Sequence, residues 1–165
     1  MKPLDFLIIG AQKCATTTLF ELLRQHPAIH MPLEKEVPFF TASDCSRQAW
    51  EDYAARHFGD DDGRLWGKAT PQYMCDPSSA ERIHRMMPAL KLVAILRDPI
   101  DRTWSHYLMG KRRSTESRSF DAAIDPLLAS DSMAINRTLP VPEHRQGFES
   151  ESPFYIAWSE YGRIL

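Results

Sequence analysis

The chain has 165 residues, 43% hydrophobic and 25% charged, with 20 Lys and Arg against 22 Asp and Glu for a formal net charge of −2. That balance fits one globular domain. It excludes a disordered chain, a large multidomain enzyme and a dedicated nucleic-acid binder, which would carry a clear basic excess. A small anionic ligand stays possible, because a local pocket can be basic on a near-neutral protein. Cys14, Cys45 and Cys75 are odd in number and contain no C-x-x-C pair, so neither a disulfide framework nor a structural zinc site is expected. The expected setting is reducing and cytoplasmic. No apolar run approaches the ~18 residues of a membrane span, and the short N-terminal stretch lacks a signal-peptide core, so no stable membrane insertion is expected.

Phe6-Leu7-Ile8-Ile9 is a continuous apolar run, as in a strand buried on both faces of a parallel sheet. Gly10 ends it. Thr16 to Gln25 then has Leu19, Leu22 and Leu23 at helical spacing, with Pro27 as the stop. The segment from Ile29 to Phe40 is expected to be a loop with a short extended piece. Ser46 to Phe58 is an amphipathic helix candidate with Trp50, Tyr53 and Ala54 inward. The glycine-flanked run Asp60-Asp61-Asp62 is a solvated turn without the spaced ligands of a calcium loop. A short strand is expected at Leu65–Lys68, and a helix over Pro77–Met87 with proline near its start. Leu90 to Leu96 is the second apolar run and is expected to be a buried strand. Ile100–Leu108 follows as a helix. Strand, loop and helix thus occur twice, which points to an α/β sheet with ligand loops at strand C-termini. Lys111–Ser119 is expected to be a surface loop, Pro126–Ser152 irregular, and Phe154–Leu165 the start of a helix.

Two loops carry the chemistry. The first is Gly10-Ala11-Gln12-Lys13-Cys14-Ala15-Thr16-Thr17-Thr18. A loop entering a helix N-terminus presents unpaired N–H groups and the positive end of the dipole to an anion. Lys13 adds a mobile charge and the threonines add hydroxyls. Only Ala11 and Gln12 separate Gly10 from Lys13, which is not the spacing of a nucleotide triphosphatase. The second is Arg97-Asp98-Pro99-Ile100-Asp101-Arg102-Thr103-Trp104-Ser105-His106-Tyr107. There an arginine fork and a hydroxyl about two helical turns later suit a terminal phosphate. On its own, Arg97 could equally pair with Asp98 or Asp101. His106 reads from its position as a helix-surface histidine.

Together the two loops resemble the sulfotransferases that use 3′-phosphoadenosine 5′-phosphosulfate (PAPS), in the branch of the heparan sulfate and related bacterial enzymes. Lys35-Glu36-Val37-Pro38-Phe39-Phe40, Gly67-Lys68-Ala69-Thr70-Pro71-Gln72-Tyr73 and Glu81-Arg82-Ile83 with Met87-Pro88 extend the resemblance, which covers about Asp5 to Tyr107. It implies an α/β, P-loop-like three-layer fold with a central parallel sheet. It also implies that the chain is one sulfotransferase domain over 1–165, the N-terminal part of a longer one. The first loop (Gln12, Lys13, Cys14, Ala15, Thr16, Thr17, Thr18) would hold the 5′-phosphosulfate, and Arg97 and Ser105 the 3′-phosphate. Glu36 would be the general base and Lys13 would stabilise the leaving nucleotide, with no metal. Spacing alone leaves Glu36 as readily paired with Lys35. The acceptor would be a saccharide, lipid or small metabolite hydroxyl, with Lys68, Phe39 and Tyr73 as candidate acceptor contacts.

Three positions depart from the pattern. Ala15 stands for a glycine, and alanine is expected to avoid positive φ there. Lys68 stands where relatives often have glutamate, and Pro38 where the heparan branch often has histidine. Two other classes fit less of the pattern: a small-molecule kinase using ATP, and a non-catalytic nucleotide-binding module.

Overall fold

The computed structural model describes residues 2–42, 44–139 and 151–164. The chain divides into two compact units: residues up to Ala11 together with Ala15–Ile95, and Gln12–Cys14 together with the chain from Leu96 onward.

The first unit is built on four parallel strands, β1 (Phe6–Gly10), β2 (Ile29–His30), β3 (Leu65–Ala69) and β4 (Lys91–Ala94), in the order β2-β3-β1-β4. Successive side chains of a strand point to opposite faces, and both faces are covered. On one face Ile8 and Ala69 pack with Phe20 and Met31, and with Leu19 and Leu23 of helix α1 (Thr16–Arg24). On the other, Leu7 and Trp66 pack with Trp50, Tyr53 and Ala54 of helix α2 (Arg47–His57) and with Ile83 of helix α3 (Pro77–Met86). This is the expected three-layer α/β arrangement around a parallel sheet. The helix starts follow from capping: the Ser46 hydroxyl accepts from Ala49 N at 3.2 Å, and the Asp76 carboxylate accepts from the amides of Ser78 and Ser79 ahead of α3, whose first residue is Pro77.

Gly67 is required by that packing. It faces Phe6 in the register of β1 against β3, and a Cβ there would lie 2.1 Å from Phe6 Cζ and 2.6 Å from Met31 Sδ.

The expectation of a buried strand at Leu90–Leu96 needs correction. Among the described residues β4 is an edge strand, paired with β1; Leu92 is 53% exposed, while Val93 packs inward. An apolar run reports the preference of its side chains, not how many neighbours the strand acquires.

The second unit is helical: α4 (Pro99–Arg112), α5 (Phe120–Ile124), a 3₁₀ turn at Asp125–Leu128, α6 (Ser130–Asn136), α7 (Phe154–Ala157) and α8 (Tyr161–Ile164). The Asp98 carboxylate caps α4 by accepting from Ile100 N and Asp101 N. Two expectations change. α4 runs on through Lys111 and Arg112 instead of ending in a loop, and α6 lies within the stretch read as irregular. The part of that stretch at 140–150 lies outside the described residues. Tyr107, Ala123 and Tyr155 form this unit's apolar core, flanked by Leu108, Phe120 and Leu127.

Candidate functional site

The chain leaves the first unit after Ala11, passes through the second as Gln12, Lys13 and Cys14, and returns at Ala15. Lys13 and Ala15 both take left-handed backbone, at φ 71° and φ 62°, and Ala15 is the N-cap of α1 without a side-chain cap of its own. The expectation that Ala15 would avoid positive φ is therefore wrong: the loop imposes the conformation a glycine would take freely, and the alanine bears its steric cost.

In the second unit, Lys13 is half-buried among cations. Burial first, then the charges of Arg112 and Arg113, lower its pKa below the ordinary lysine value, Arg102 adding to this and Glu151 opposing it. Like charges gathered around a partly desolvated amine favour an anion in their midst. Arg112 and Arg113 thus do more than solvate a surface. Cys14 is buried, with Sγ 3.4 Å from the Tyr161 hydroxyl.

Arg102, given no role by its position in the sequence, is fully buried and organises this unit. Its Nε donates to Gln12 O at 3.1 Å, Nη1 donates to Tyr155 O at 3.0 Å and to Ser159 Oγ at 3.2 Å, and Nη2 donates to His106 Nδ1 at 2.9 Å. A guanidinium has no lone pair to offer, so Nδ1 must be the unprotonated nitrogen of His106. Nε2–H then donates to Glu151 Oε2 at 2.6 Å. His106 is therefore buried and neutral, not on the surface. Burial brings its pKa down to about 4, against the opposing pull of Glu151. Glu151 also accepts from Gln12 Nε2 at 3.3 Å and Arg113 Nη1 at 3.4 Å. Burial pushes its carboxyl up, but His106, Gln12 and Arg113 together hold it below the usual carboxylate range.

Arg97 is exposed and pairs with Asp101 at 3.4 Å. An exposed pair of that kind is worth under about 1 kcal/mol, so the guanidinium is available to a stronger anion. Ser105 sits partly exposed on α4, one turn beyond Arg102.

In the first unit, Thr16 is buried at the start of α1, and Thr17 and Thr18 are exposed. Glu36 is partly exposed, its carboxylate in contact with the Lys35 ammonium. Its backbone is left-handed at φ 66°, and its amide donates to Ala69 O at 3.1 Å. A non-glycine residue in this region costs on the order of 1 kcal/mol or more, and persists only where surrounding contacts impose it. The contacts are two tyrosines. Tyr53 Oη donates to Val37 O at 3.0 Å, and Tyr73 Oη accepts from Phe39 N at 2.7 Å and Phe40 N at 3.1 Å.

Lys68, Phe39 and Tyr73 have 1%, 4% and 2% of their surface exposed. Their reading as acceptor contacts is replaced by a core one, since none offers surface to a ligand. Among the described residues, no group of three or more His, Cys, Asp or Glu side chains could hold a metal ion, and no helix is long and apolar enough to cross a membrane.

No protein-family model matches the chain. Among curated proteins, the membrane-associated sulfotransferase kil1 of Dictyostelium discoideum is 34% identical over 107 residues, 62% of this chain and 22% of that protein. Human heparan sulfate glucosamine 3-O-sulfotransferase 6 is 33% identical over 116 residues, 70% of this chain and 33% of that protein. The chain therefore spans about a third or less of the length of these two relatives. The crystal structure of a sulfotransferase from Alicyclobacillus acidocaldarius superposes with a TM-score of 0.71 at 27% identity, covering 99% of this chain and 67% of that one. Shared sequence, shared fold and the order of the loops at Gly10 and Arg97 place the chain in the sulfotransferase family.

Proposed function

We propose that the protein of which this chain forms all or part transfers a sulfonate group from PAPS to an acceptor hydroxyl, and that Lys13 and Glu36 are its principal reacting side chains. The observation that carries this reading is the cationic surround of Lys13: a half-buried lysine on a strand-to-helix loop, with Arg102, Arg112 and Arg113 close enough to lower its pKa. Such a cluster is suited to a phosphosulfate.

The residues present fit the donor. Gln12, Lys13, Cys14, Ala15, Thr16, Thr17 and Thr18 form the loop that would hold the 5′-phosphosulfate, its backbone amides and the head of α1 supplying positive potential. Arg97, whose exposed side chain pairs with Asp101, and Ser105 would take the 3′-phosphate. When bound, the nucleotide supplies an electrophilic sulfur and a phosphate leaving group. Lys13 neutralises charge where that leaving group departs. Glu36 takes the acceptor's proton, for which its carboxylate must exchange the Lys35 contact for the incoming hydroxyl. The acceptor is a saccharide, lipid or small-metabolite hydroxyl, and the names of the heparan sulfate relatives favour the saccharide.

The test is thermal stabilisation by 3′-phosphoadenosine 5′-phosphate, beside ADP and Mg-ATP at equal concentration. A ligand at about 100 times its dissociation constant stabilises by about 2.7 kcal/mol. Only the 3′-phosphorylated nucleotide should do so; Lys13→Ala should abolish the shift, and Glu36→Gln should keep it while losing sulfonate transfer. Preference for Mg-ATP, or no shift with any nucleotide, would refute the reading.

A further inference from the structure

Lys68 projects from β3 into the aromatic layer beneath α2. It is 1% exposed, in register with Leu7 of the neighbouring strand. Its Nζ donates to Thr70 Oγ1 at 2.5 Å and lies 5.2 Å from the centre of the Tyr73 ring and 5.8 Å from that of Tyr53. These are the two tyrosines that tie down the segment after Glu36.

The hydrogen bonds form a chain. Tyr73 Oη accepts from the amides of Phe39 and Phe40, and the Thr70 side chain hydrogen-bonds the same hydroxyl. Thr70 Oγ1 also accepts from Lys68. The Lys68 amine is therefore three hydrogen bonds from the backbone of Phe39 and Phe40. The next residue of its own strand, Ala69, receives the Glu36 amide.

We infer that Lys68 is a positioning residue for Glu36: its amine, acting through Thr70 and Tyr73, holds the segment from Glu36 to Phe40 in place, and its gain or loss of a proton resets that hold. This rests on the reading of Glu36 as the base. The charged and titratable groups facing Lys68 are Lys35 from the Glu36 loop, Tyr53 from α2 and Tyr73 from the turn after β3. Glu34 and His57 lie next to Tyr53, and Glu36 next to Lys35. Burial first, then Lys35, bring the Lys68 pKa down to about 7, so the switch falls in the working range of an enzyme. A charged Lys68 can only donate hydrogen bonds, and it repels Lys35, the partner of Glu36. A neutral one can also accept from Thr70, and the repulsion is gone.

The experiment is an NMR titration of the full chain, following the ε-carbons of lysine and the amides of Glu36, Phe39 and Phe40. One lysine should titrate near neutrality, the three amides should move with the same midpoint, and both effects should vanish in Lys68→Met. In parallel, kcat should rise about tenfold from pH 6 to pH 8 for a single deprotonation near 7, and less than about twofold in Lys68→Met, with KM little changed. Amides that ignore the lysine titration would overturn the inference, as would a pH–rate profile that the substitution leaves unaltered. The wild-type titration needs no variant to fold. Absence of sulfonate transfer would refute the proposed function, while the amides would still decide the role of Lys68.

Discussion

Acid should weaken the helical unit through His106. The ring is fully buried, its Nδ1 accepts from Arg102, and its Nε2 donates to Glu151, so the geometry is satisfied only by the neutral form. A histidine whose pKa is depressed by folding contributes stability that is complete above its unfolded value and is lost as pH falls towards the folded one. With 6.5 falling to about 4, stability at about pH 5 should lie about 2 kcal/mol below that at pH 7.5. Glu151, also depressed, adds a loss of the same sign, but only below the usual carboxylate range. The assay is urea unfolding at the two pH values, in the wild type and in His106→Gln, whose amide can accept from Arg102 and donate to Glu151 without titrating. The difference in acid loss between the two proteins isolates the histidine. An equal loss in both would refute the argument. So would a wild type that gains stability on acidification, the behaviour of a charged His106–Glu151 ion pair.

Two backbone predictions follow from the first unit. Gly67→Ala drives a Cβ into Phe6 and Met31 and should cost on the order of 2 to 3 kcal/mol, read as a lowered urea midpoint; a loss under about 0.5 kcal/mol would contradict the packing. Ala15→Gly relieves a left-handed alanine at φ 62° and should stabilise by up to about 1 kcal/mol after the extra freedom of glycine in the unfolded chain is counted; a destabilised variant would show that the loop does not impose that conformation.

Much of the sheet unit was legible in the sequence, because β1, α1, α2 and α3 each bury a strongly patterned apolar face. The exposure of β4 was not, since a strand's pattern does not say whether it ends a sheet. In the second unit the inward stripe of α4 is Arg102, Thr103, His106, Tyr107 and Gly110. Its spacing is helical, but it opens with polar side chains that periodicity assigns to solvent. They turn inward because Arg102 supplies enough donors to satisfy the carbonyls, hydroxyl and imidazole around it. Lys68 escaped for the same reason: a lysine in a strand reads as outward, and only Thr70 and two tyrosine faces make it tolerable inside. The two loops were visible as motifs, yet neither the left-handed backbone of Lys13 and Glu36 nor the cationic surround of Lys13 is written in local spacing.

The four tryptophans divide evenly between the units. Trp50 and Trp66 lie buried in the aromatic layer of the sheet unit, Trp66 stacked on Phe58 at 4.7 Å and Trp50 on Tyr53 at 5.6 Å. In the helical unit, Trp158 stacks on Phe154 at 4.6 Å and Trp104 is 45% exposed against Tyr107. Each unit therefore carries its own pair of intrinsic fluorophores, and of the four rings Trp104 alone is substantially in water. Emission wavelength sets Trp104 apart from the three buried rings, so a red-shifted component reports the helical unit, and the red shift of the rest on heating reports loss of the buried aromatic packing, in a single unlabelled sample.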